Sequence, residues 1–283
     1  MATRKPATVA LNSQVAGVIV NATRKQAITG SALLKLESDL EGAVARGEIS
    51  AVFQPQIDIR TRRVVSVEAL ARWNHPEYGY VGPATFIPLA EELDLITDIG
   101  DFMIDEGCRL AAELTSLGHR VDVAVNVSAA QLVTLDFLDR VEANLRRHEL
   151  TTDRLIVEIT ESLPVIDVPE VAARLRDLRD LGLGISIDDF GTGYSSVERL
   201  AVLPATELKI DQSLIRDTAP IPAYVCEAVD TAHELGLRVV AEGIETEHHF
   251  ARAVGLQCDR AQGYLFSRPT TENHLRRLLG VEL

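Results

Sequence analysis

Two adjacent carboxylates, Asp188 and Asp189, stand where a β-branched segment gives way to a stretch rich in Gly and Ser. The preceding residues 184–187 have the composition of a buried strand, which would deliver both acids to a site at its end. Neighbouring carboxylates repel each other when they are ionised and partly buried, and a bound cation is the simplest way to offset that cost. The alternative is that Asp188 caps a strand and Asp189 lies in a solvated turn. The pair alone leaves both interpretations open.

Polar side chains also occupy the ends of the other predicted strands. Oxygen ligands from several strands beside one lysine suit a hard divalent cation such as Mg²⁺ or Mn²⁺. Taken singly, each of these residues can be explained as a satisfied polar group at a strand end, an explanation favoured for Asn126 or Gln262 alone, and the lysine as a partner of the carboxylates. Their coincidence favours a metal site. The residues are Glu68, Asn126, Glu158, Lys209, Glu242 and Gln262.

An alternation of strand-like and helix-like segments must position these side chains. About eight strands are predicted, and six or seven of them are followed by a helix. That number of pairs within about 250 residues predicts a TIM-type (β/α)8 barrel, a fold of the α/β class. In such barrels the catalytic groups lie at the carboxyl ends of the strands, which is where the polar residues fall.

The start of the barrel is predicted to be irregular. The strand candidates 52–59 and 64–70 are separated by about four residues, too few for a crossover between parallel neighbours, so we expect this first pair to be antiparallel. A first helix is predicted over 34–46. Residues 1–32 lack a clear period. They are expected to form an N-terminal extension, a tail or a loose helix, before a domain that spans 33–283.

Composition and charge limit the class of protein. The chain has 283 residues and a formal net charge of −14, which argues against non-specific binding to DNA, RNA or anionic membranes. Cys108, Cys226 and Cys258 are odd in number and widely spaced, and they give neither a disulfide framework nor a zinc signature. The apolar run 15–20 is shorter than a membrane helix and lacks signal-peptide features. We therefore expect a cytoplasmic protein with no membrane segment in this chain.

A series of short motifs runs along the predicted strands. Glu68-Ala69-Leu70, followed by Ala71-Arg72-Trp73, is similar to the signature of the EAL-domain family of cyclic-di-GMP phosphodiesterases. The resemblance runs in the family's order over about residues 33–270, and a set of motifs of this length is highly specific. The further motifs are Phe53-Gln54-Pro55, residues 86–91, Asn126-Val127-Ser128, residues 158–162, residues 188–196, Leu208-Lys209-Ile210-Asp211, residues 241–246 and Gln262-Gly263-Tyr264.

The resemblance implies a role for each matched residue. The catalytic residues of the family correspond to Lys209, Glu68 and Glu242. Its metal ligands correspond to Glu68, Asn126, Glu158, Asp188, Asp189 and Glu242. Its substrate contacts correspond to Gln54, Leu70, Arg72 and Gln262. Glu161 corresponds to the residue that anchors the loop 191–196, and Glu245 is likewise expected to anchor a loop.

The activity implied by the resemblance is metal-dependent hydrolysis of one phosphodiester bond of cyclic-di-GMP, which gives linear pGpG and lowers the second messenger. Two divalent cations per site, Mg²⁺ or Mn²⁺, suit this chemistry because they neutralise phosphate charge and generate a nucleophile near neutral pH. Asp188 is the natural bridge between the cations, and Lys209 offsets charge in the transition state. A homodimer is implied by the resemblance alone.

Two other functions fit parts of the sequence. One is a cyclic-di-GMP receptor with little or no turnover, although the acidic positions whose loss marks such members are intact. The other is a Schiff-base aldolase that uses Lys209, although the crowded carboxylates would keep this lysine protonated. Histidine chemistry is not favoured, because His248 and His249 fall on a predicted surface helix and no His-Glu-x-x-His pattern is present.

Overall fold

The computed structural model describes residues 18–21, 24–27, 30–160, 169–192, 197–216 and 219–281. These residues fall into two compact units. The smaller unit comprises the described residues before Ala51 together with Arg72–Leu95, and the larger unit comprises Ala51–Ala71 together with the described residues from Ile96 onward. No helix within these ranges has the length and apolar character needed to cross a lipid bilayer.

Strands and helices alternate along most of the described chain. The strands are β1 Val18–Asn21, β2 Arg24–Ala27, β3 Ile49–Asp58, β4 Val64–His75, β5 Gly79–Val81, β6 Asp122–Asn126, β7 Leu155–Thr160, β8 Gly184–Phe190, β9 Glu207–Ile210, β10 Arg238–Ala241 and β11 Arg260–Gln262. The helices are α1 Gly30–Leu40, α2 Pro83–Glu92, α3 Ile96–Ser116, α4 Ala129–Leu132, α5 Phe137–Arg147, α6 Pro169–Asp180, α7 Val197–Val202, α8 Gln212–Arg216, α9 Ala223–Glu234, α10 Glu247–Gly255 and α11 Glu272–Leu278.

Eight of the strands close into a barrel. The sheet has the order β3-β11-β10-β9-β8-β7-β6-β4-β5, and an additional pairing of β3 with β4 joins the ends of the ring and leaves β5 outside it. The pairs from β4 through β6 to β11 are parallel, whereas β3 is antiparallel to β11. The predicted (β/α)8 barrel with an antiparallel first strand is therefore confirmed.

The strands of the barrel are buried on both faces. In β7, the residues from Leu155 to Ile159 are all buried, which explains why its sequence is nearly continuous in apolar residues rather than alternating. Helix α3 packs closely on β6, since a Cβ at Gly107 would lie 2.9 Å from Cγ2 of Val125. Each large aliphatic side chain buried in this way contributes roughly 1.5–3 kcal/mol. This packing of helices on strands fixes the positions of the strands whose carboxyl ends form one rim of the barrel, where the predicted polar residues lie.

Ion pairs fill part of the barrel below that rim. Glu207 is fully buried, and it accepts hydrogen bonds from Ser186 Oγ at 3.0 Å and from Arg260 Nη1 at 3.3 Å. The other terminal nitrogen of Arg260 lies 3.2 Å from Asp122 Oδ2, and Arg154 Nη1 lies 2.7 Å from Asp122 Oδ1. Because these buried charges are paired, their desolvation cost is offset. The network therefore anchors β9 at Glu207, two residues before the buried Lys209.

The N-terminal segment differs from its prediction. Strands β1 and β2 pair antiparallel within residues that were expected to form a tail or a loose helix. Helix α1 ends at Leu40, whereas the predicted first helix continues to residue 46. Gly42 adopts a φ of 72°, a left-handed conformation through which a right-handed helix does not continue. Residues 41–47 form turns instead.

The last strand, β11, has only three residues. It ends at Gln262 because Gly263 lies directly against the backbone of Ile244, where a Cβ at Gly263 would be 2.2 Å from the Ile244 carbonyl oxygen. The N–H of Ile244 donates to the Gln262 carbonyl at 3.0 Å, and the N–H of Leu265 donates to the Ile244 carbonyl at 2.9 Å. This contact holds Gln262 beside the segment that follows β10.

The smaller unit has an aromatic core of its own. The ring of Trp73 packs edge-on against Phe86 at a centroid distance of 5.9 Å. Its Nε1–H donates to Glu48 Oε2 at 3.1 Å. A buried indole with a paired N–H stabilises the end of β4 without an unsatisfied polar group.

Candidate active site

Several strands of the larger unit carry polar side chains to one rim of the barrel. Asn126 lies in register with Glu158 on the neighbouring parallel strand. Asp188 lies in register with Thr160, two residues beyond Glu158. Glu242 follows the last residue of β10, and its N–H donates to the carbonyl of Ile210 at 3.1 Å. Because parallel strands end at the same rim, residues that are far apart in sequence meet there.

Lys209 lies at the centre of this rim, and its side chain is fully buried. Its Nζ lies 2.8 Å from Glu242 Oε1 and 3.0 Å from Asp188 Oδ1. It also lies 3.2 Å from Glu158 Oε2 and 3.6 Å from Glu68 Oε2. One ammonium among four carboxylates leaves an excess of negative charge in a buried place, which is the electrostatic condition for binding a cation.

The carboxylates form two acidic triads that share one residue. One oxygen from each of Glu68, Glu158 and Asp188 lies within 4.8 Å of the others, and the same is true of Asp188, Asp189 and Glu242. A hard divalent cation is bound at about 2.0–2.6 Å from its oxygen ligands, so three carboxylates at this spacing can bind one cation. We call these sets the first and the second acidic triad. Asp188 belongs to both.

Glu158 gives an independent indication that the first acidic triad fits a cation. Its side chain is fully buried, and Oε2 faces Lys209. Its other oxygen, Oε1, has no hydrogen-bond partner among the described residues. A buried carboxylate oxygen is costly unless a cation or a donor satisfies it. Carboxylate and amide oxygens are the ligands that Mg²⁺ and Mn²⁺ take, and they are the donors present.

Side-chain amides orient Glu68. Asn126 Nδ2 donates to Glu68 Oε1 at 2.8 Å, and Gln262 Nε2 donates to Glu68 Oε2 at 2.6 Å. Gln262 Nε2 also lies 3.2 Å from Gln54 Oε1, and Gln54 Nε2 donates to the carbonyl of Ser267 at 3.2 Å. Both oxygens of Glu68 therefore have fixed donors, which limits the rotation of its carboxylate.

The backbone at Asp189 turns this side chain toward the second acidic triad. Asp189 has a φ of 58°, a left-handed conformation that Asp tolerates better than most residues. The pairing of β8 with β9 shifts register between Ile187 and Phe190. The N–H of Asp189 donates to Asp188 Oδ1 at 2.9 Å. The bulge allows two consecutive residues to serve one site, since regular alternation would send them to opposite faces.

The charges around Lys209 fix its protonation. Burial disfavours the ammonium, but the carboxylates of Asp188, Glu158, Glu242 and Glu68 outweigh burial and hold the pKa of Lys209 well above its usual value. A lysine that forms a Schiff base must be able to lose its proton. This environment therefore opposes the aldolase alternative and suits a permanent positive charge.

The same environment shifts the pKa values of these carboxylates in different directions. Burial favours the neutral acid at Glu68, but Lys209 and the hydrogen bonds from Gln262 and Asn126 outweigh it and hold the pKa of Glu68 below its usual value. At Glu158, burial raises the pKa well above the usual value despite Lys209. Burial likewise raises the pKa of Glu242 to about 8, and burial together with the nearby Asp188 raises the pKa of Asp189 to about 6. The second acidic triad must therefore lose protons before it binds a cation tightly.

These shifts predict that the metal-free protein loses stability as the pH rises toward 8. Glu242 has a pKa of about 8 in the folded protein and an ordinary value of 4.5. Between these values the folded state holds a proton that the unfolded chain has released, so stability is full below the lower value and decreases through the higher one. We expect the thermal unfolding midpoint, measured with a chelator, to decrease over this interval.

Saturating Mn²⁺ provides the control for this pH dependence, because bound carboxylates are already deprotonated. The decrease in the midpoint should be smaller in its presence, and Glu242→Gln should reduce the decrease without metal. A metal-free midpoint that stays constant or rises between pH 5 and pH 8 would contradict the assignment of a raised pKa to Glu242.

The structure brings most of the predicted site residues together. The residues that meet at the rim are Gln54, Glu68, Asn126, Glu158, Asp188, Asp189, Lys209, Glu242 and Gln262. Leu70 is half-buried two residues beyond Glu68 on β4. Arg72 lies further along β4, in the smaller unit, and its role stays a prediction. Glu161 lies outside the described residues, so its loop-anchoring role also stays a prediction.

One residue near the site has no counterpart in the sequence prediction. Arg216, at the end of α8, donates through Nη2 to Glu245 Oε1 at 2.8 Å and through Nε to the carbonyl of Gly243 at 3.2 Å. Helix α8 was not predicted because it has five residues. A local signal exists, since Asp211 precedes the helix and accepts from the N–H of Ser213 at 2.8 Å, which is the behaviour of an N-cap.

The fold and the site define an irregular (β/α)8 barrel with a lysine-centred acidic site at its carboxyl rim. The profile of the EAL domain matches residues 37–269. The chain therefore belongs to the EAL-domain family, and the resemblance seen in its motifs is confirmed.

Known proteins similar to this chain extend the comparison. The chain is 40% identical over 246 residues to the bifunctional diguanylate cyclase/cyclic di-GMP phosphodiesterase MucR of Pseudomonas aeruginosa, covering 86% of this chain and 36% of MucR. It thus spans about a third of that relative's length.

Two solved structures are similar to the fold. One is described as the PaMucR phosphodiesterase in a c-di-GMP complex, with a TM-score of 0.80, 40% identity, and coverage of 85% of this chain and 99% of that chain. The other is the EAL enzyme Bd1971 in a form with cAMP and cyclic-di-GMP bound, with a TM-score of 0.82, 30% identity, and coverage of 89% of this chain and 70% of that chain.

Proposed function

We propose that this chain is a metal-dependent phosphodiesterase that hydrolyses one phosphodiester bond of cyclic-di-GMP to give linear pGpG. The observation that carries the proposal is the pair of acidic triads that share Asp188 beside the buried Lys209. The similarity to a phosphodiesterase solved in complex with c-di-GMP supports the choice of substrate. The intact acidic residues favour turnover over a receptor that binds without hydrolysis.

The residues of the rim have complementary parts in this reaction. A phosphodiester is anionic and repels a negatively charged nucleophile, so hydrolysis requires positive charge at the phosphate. Divalent cations, when bound, supply charge neutralisation and a nucleophile near neutral pH. Lys209 adds a fixed positive charge that does not depend on pH in the working range, because its pKa is held high. Glu242 and Glu68 orient this ammonium and complete the catalytic set.

We further propose that the cofactors are Mg²⁺ or Mn²⁺, two per site. Their ligands would be Glu68, Asn126, Glu158 and Asp188 for one cation, and Asp188, Asp189 and Glu242 for the other. The spacing of the two acidic triads supports this number, and the unpaired oxygen of Glu158 supports the position of the first cation. Oxygen donors without Cys or His favour hard cations over zinc.

The contacts to the substrate are proposed from the family motif. Gln54 and Gln262 lie at the rim, where amide groups could meet the polar edges of the nucleotide. Leu70 and Arg72 follow Glu68 on the same strand. A guanidinium such as that of Arg72 suits a phosphate oxygen because it donates two parallel hydrogen bonds. We also propose that Glu161 and Glu245 anchor loops beside the site.

The remaining parts of the proposal concern the chain as a whole. We propose that residues 33–283 form the phosphodiesterase domain and residues 1–32 an extension, which agrees with a family match that starts at residue 37. A cytoplasmic location is consistent with Cys108, Cys226 and Cys258, which are all free thiols. A homodimer is proposed by similarity to the family.

Incubation of the purified chain with cyclic-di-GMP and Mg²⁺ or Mn²⁺ tests the proposal. We expect linear pGpG to appear, as measured by chromatography, and a chelator to abolish its formation because the acidic triads then lack their cations. A single-turnover experiment with enzyme in excess distinguishes hydrolysis of cyclic-di-GMP from binding without hydrolysis. Binding of cyclic-di-GMP without any linear product in that experiment would instead identify the chain as a receptor.

A further inference from the structure

Helix α8 lies between the two segments that carry the second acidic triad. Gly191 follows Asp189 by two residues and has a φ of 104°. A Cβ at Gly191 would lie 2.3 Å from Cδ1 of Leu214 in α8. The segment after β8 therefore contacts α8 through the Leu214 side chain, which would have to shift if position 191 carried a Cβ.

The segment after β10 approaches the same helix. Gly243 follows Glu242 directly and has a φ of 65°. A Cβ at Gly243 would lie 2.3 Å from Cβ and 3.1 Å from Cα of Gln212, and 3.0 Å from Nε of Arg216. Since Cα belongs to the backbone, it cannot move aside as a side chain does. The segments that follow Asp189 and Glu242 thus both pack against α8 at a glycine with a positive φ.

Arg216 fastens the segment after β10 to α8. Its Nε donates to the carbonyl of Gly243 at 3.2 Å, and its Nη2 donates to Glu245 Oε1 at 2.8 Å. Gly243 and Glu245 lie on the chain directly after Glu242, so the two hydrogen bonds restrain the backbone from which Glu242 projects. A guanidinium can make both bonds at once because its donors are in a fixed fork.

Hydrogen bonds from Arg252 of α10 hold α8 and the chain that follows it in place. Arg252 of α10 donates through Nη2 to the carbonyl of Leu214 at 3.1 Å and through Nη1 to the carbonyl of Ala219 at 3.0 Å. The Leu214 carbonyl lies in the last turn of this short helix, where carbonyl groups lack intrahelical partners, and Ala219 lies three residues beyond the helix. The helix is therefore a fixed element to which Arg216 can tie the neighbouring segment.

We infer that Arg216 is a positioning residue that sets the separation of Glu242 from Asp189 by tying the segment after β10 to α8. This inference rests on the proposed function, because the second acidic triad is its target. Carboxylates must be held within a few tenths of an ångström to bind a hard cation well, and partners that orient a ligand typically change metal affinity by about 10–100-fold.

Calorimetric titration of the substrate-free protein with Mn²⁺ tests this role without reference to turnover. We expect Arg216→Ala to weaken Mn²⁺ binding at one of two sites by about 10-fold. Arg216→Lys should also weaken it, because an ammonium keeps the charge but not the fork that reaches both acceptors. In activity assays the Mn²⁺ concentration for half-maximal rate should rise, while KM for cyclic-di-GMP at saturating Mn²⁺ should stay unchanged.

Arg146→Ala is the matched control, because Arg146 forms a surface ion pair with Glu142 on α5. Its Mn²⁺ affinity and thermal unfolding midpoint should equal those of the wild type. Wild-type affinity in Arg216→Ala would overturn the inference, and wild-type affinity in Arg216→Lys would reduce the role to charge alone and overturn positioning. If the wild type binds Mn²⁺ but forms no pGpG, the proposed function fails, and the titration still decides the role of Arg216.

Discussion

Lys209→Met is expected to lower kcat for hydrolysis of cyclic-di-GMP by about 10³-fold, since removal of one preorganised charge or donor in a buried site typically costs a factor of this size. Lys209 is fully buried and contacts four carboxylates. Without it, those carboxylates face one another without the ammonium that now pairs with them. Steady-state kinetics at saturating Mg²⁺ measure the effect.

The same substitution should destabilise the metal-free protein. Removal of one partner from a buried ion pair leaves an uncompensated charge and costs about 3–5 kcal/mol. Divalent cations should restore part of this loss, because they replace the missing positive charge. Chemical unfolding with a chelator and with Mn²⁺ measures both quantities.

Lys35→Met is the matched control for this prediction. Lys35 pairs with Asp39 on α1, and about half of its side chain is exposed. Surface ion pairs of this kind contribute about 0–1 kcal/mol, so its activity and unfolding should stay close to wild type. A Lys209→Met protein that keeps wild-type turnover would contradict the central role given to the ammonium.

Asp188→Asn is expected to lower kcat by a different route, through weaker Mn²⁺ binding at both sites. Among the described residues, Asp188 is the carboxylate common to both acidic triads, so its loss should affect both of the proposed cations. Charge stabilisation by a bound cation contributes several kcal/mol to catalysis, and about 1.4 kcal/mol corresponds to tenfold in rate. A loss of about 10³-fold or more in kcat follows. Calorimetric titration and kinetics measure the two effects.

Glu242→Gln separates the two triads. Glu242 belongs only to the second acidic triad, so its substitution should weaken one cation and leave the other near wild-type affinity. Asp177→Asn serves as the control, because Asp177 lies on α6 and is about half exposed. If Asp188→Asn and Glu242→Gln weakened the same single site, the shared role of Asp188 would be wrong.

Stability distinguishes the two substitutions at the rim. Lys209→Met removes the single positive charge from a cluster of carboxylates, whereas Asp188→Asn removes one of the negative charges that oppose each other. The metal-free Asp188→Asn protein should therefore be as stable as the wild type or more stable, opposite in direction to Lys209→Met. Comparison of their unfolding midpoints in chelator tests whether excess negative charge is what a cation must offset.

The sequence predicted the fold through patterns that are local. Nearly continuous apolar segments such as the one that forms β7 mark buried strands, and the short link before Val64 marks an antiparallel start. The predicted first helix was too long because the helix ends at Leu40, six residues before the predicted end at residue 46, and Gly42 adopts a left-handed conformation just beyond it. Helix periodicity alone does not report where a left-handed glycine intervenes.

Residue types at strand ends predicted which side chains form the candidate site. The sequence did not predict the contacts among those side chains. The sequence identified Lys209 and the carboxylates as neighbours at one rim, because the ends of parallel strands must meet there. It did not indicate that Glu68 is held by Gln262, which lies 194 positions away in the chain. It also missed Arg216, because a helix of five residues is too short to produce a period.

By itself, the sequence determined the donors of the site, the family motifs and the strands that deliver Asp188, Lys209 and Glu242 to the rim. The resemblance had already implied that Asp188 bridges two cations, and only the tertiary structure decided how two consecutive acids can reach one site. The bulge after Ile187 and the left-handed backbone at Asp189 turn both consecutive side chains toward the site, so that Asp188 belongs to both triads and Asp189 to one. The reason is physical: residue types and alternation are local, whereas the separation of carboxylates on different strands is set by packing across the barrel.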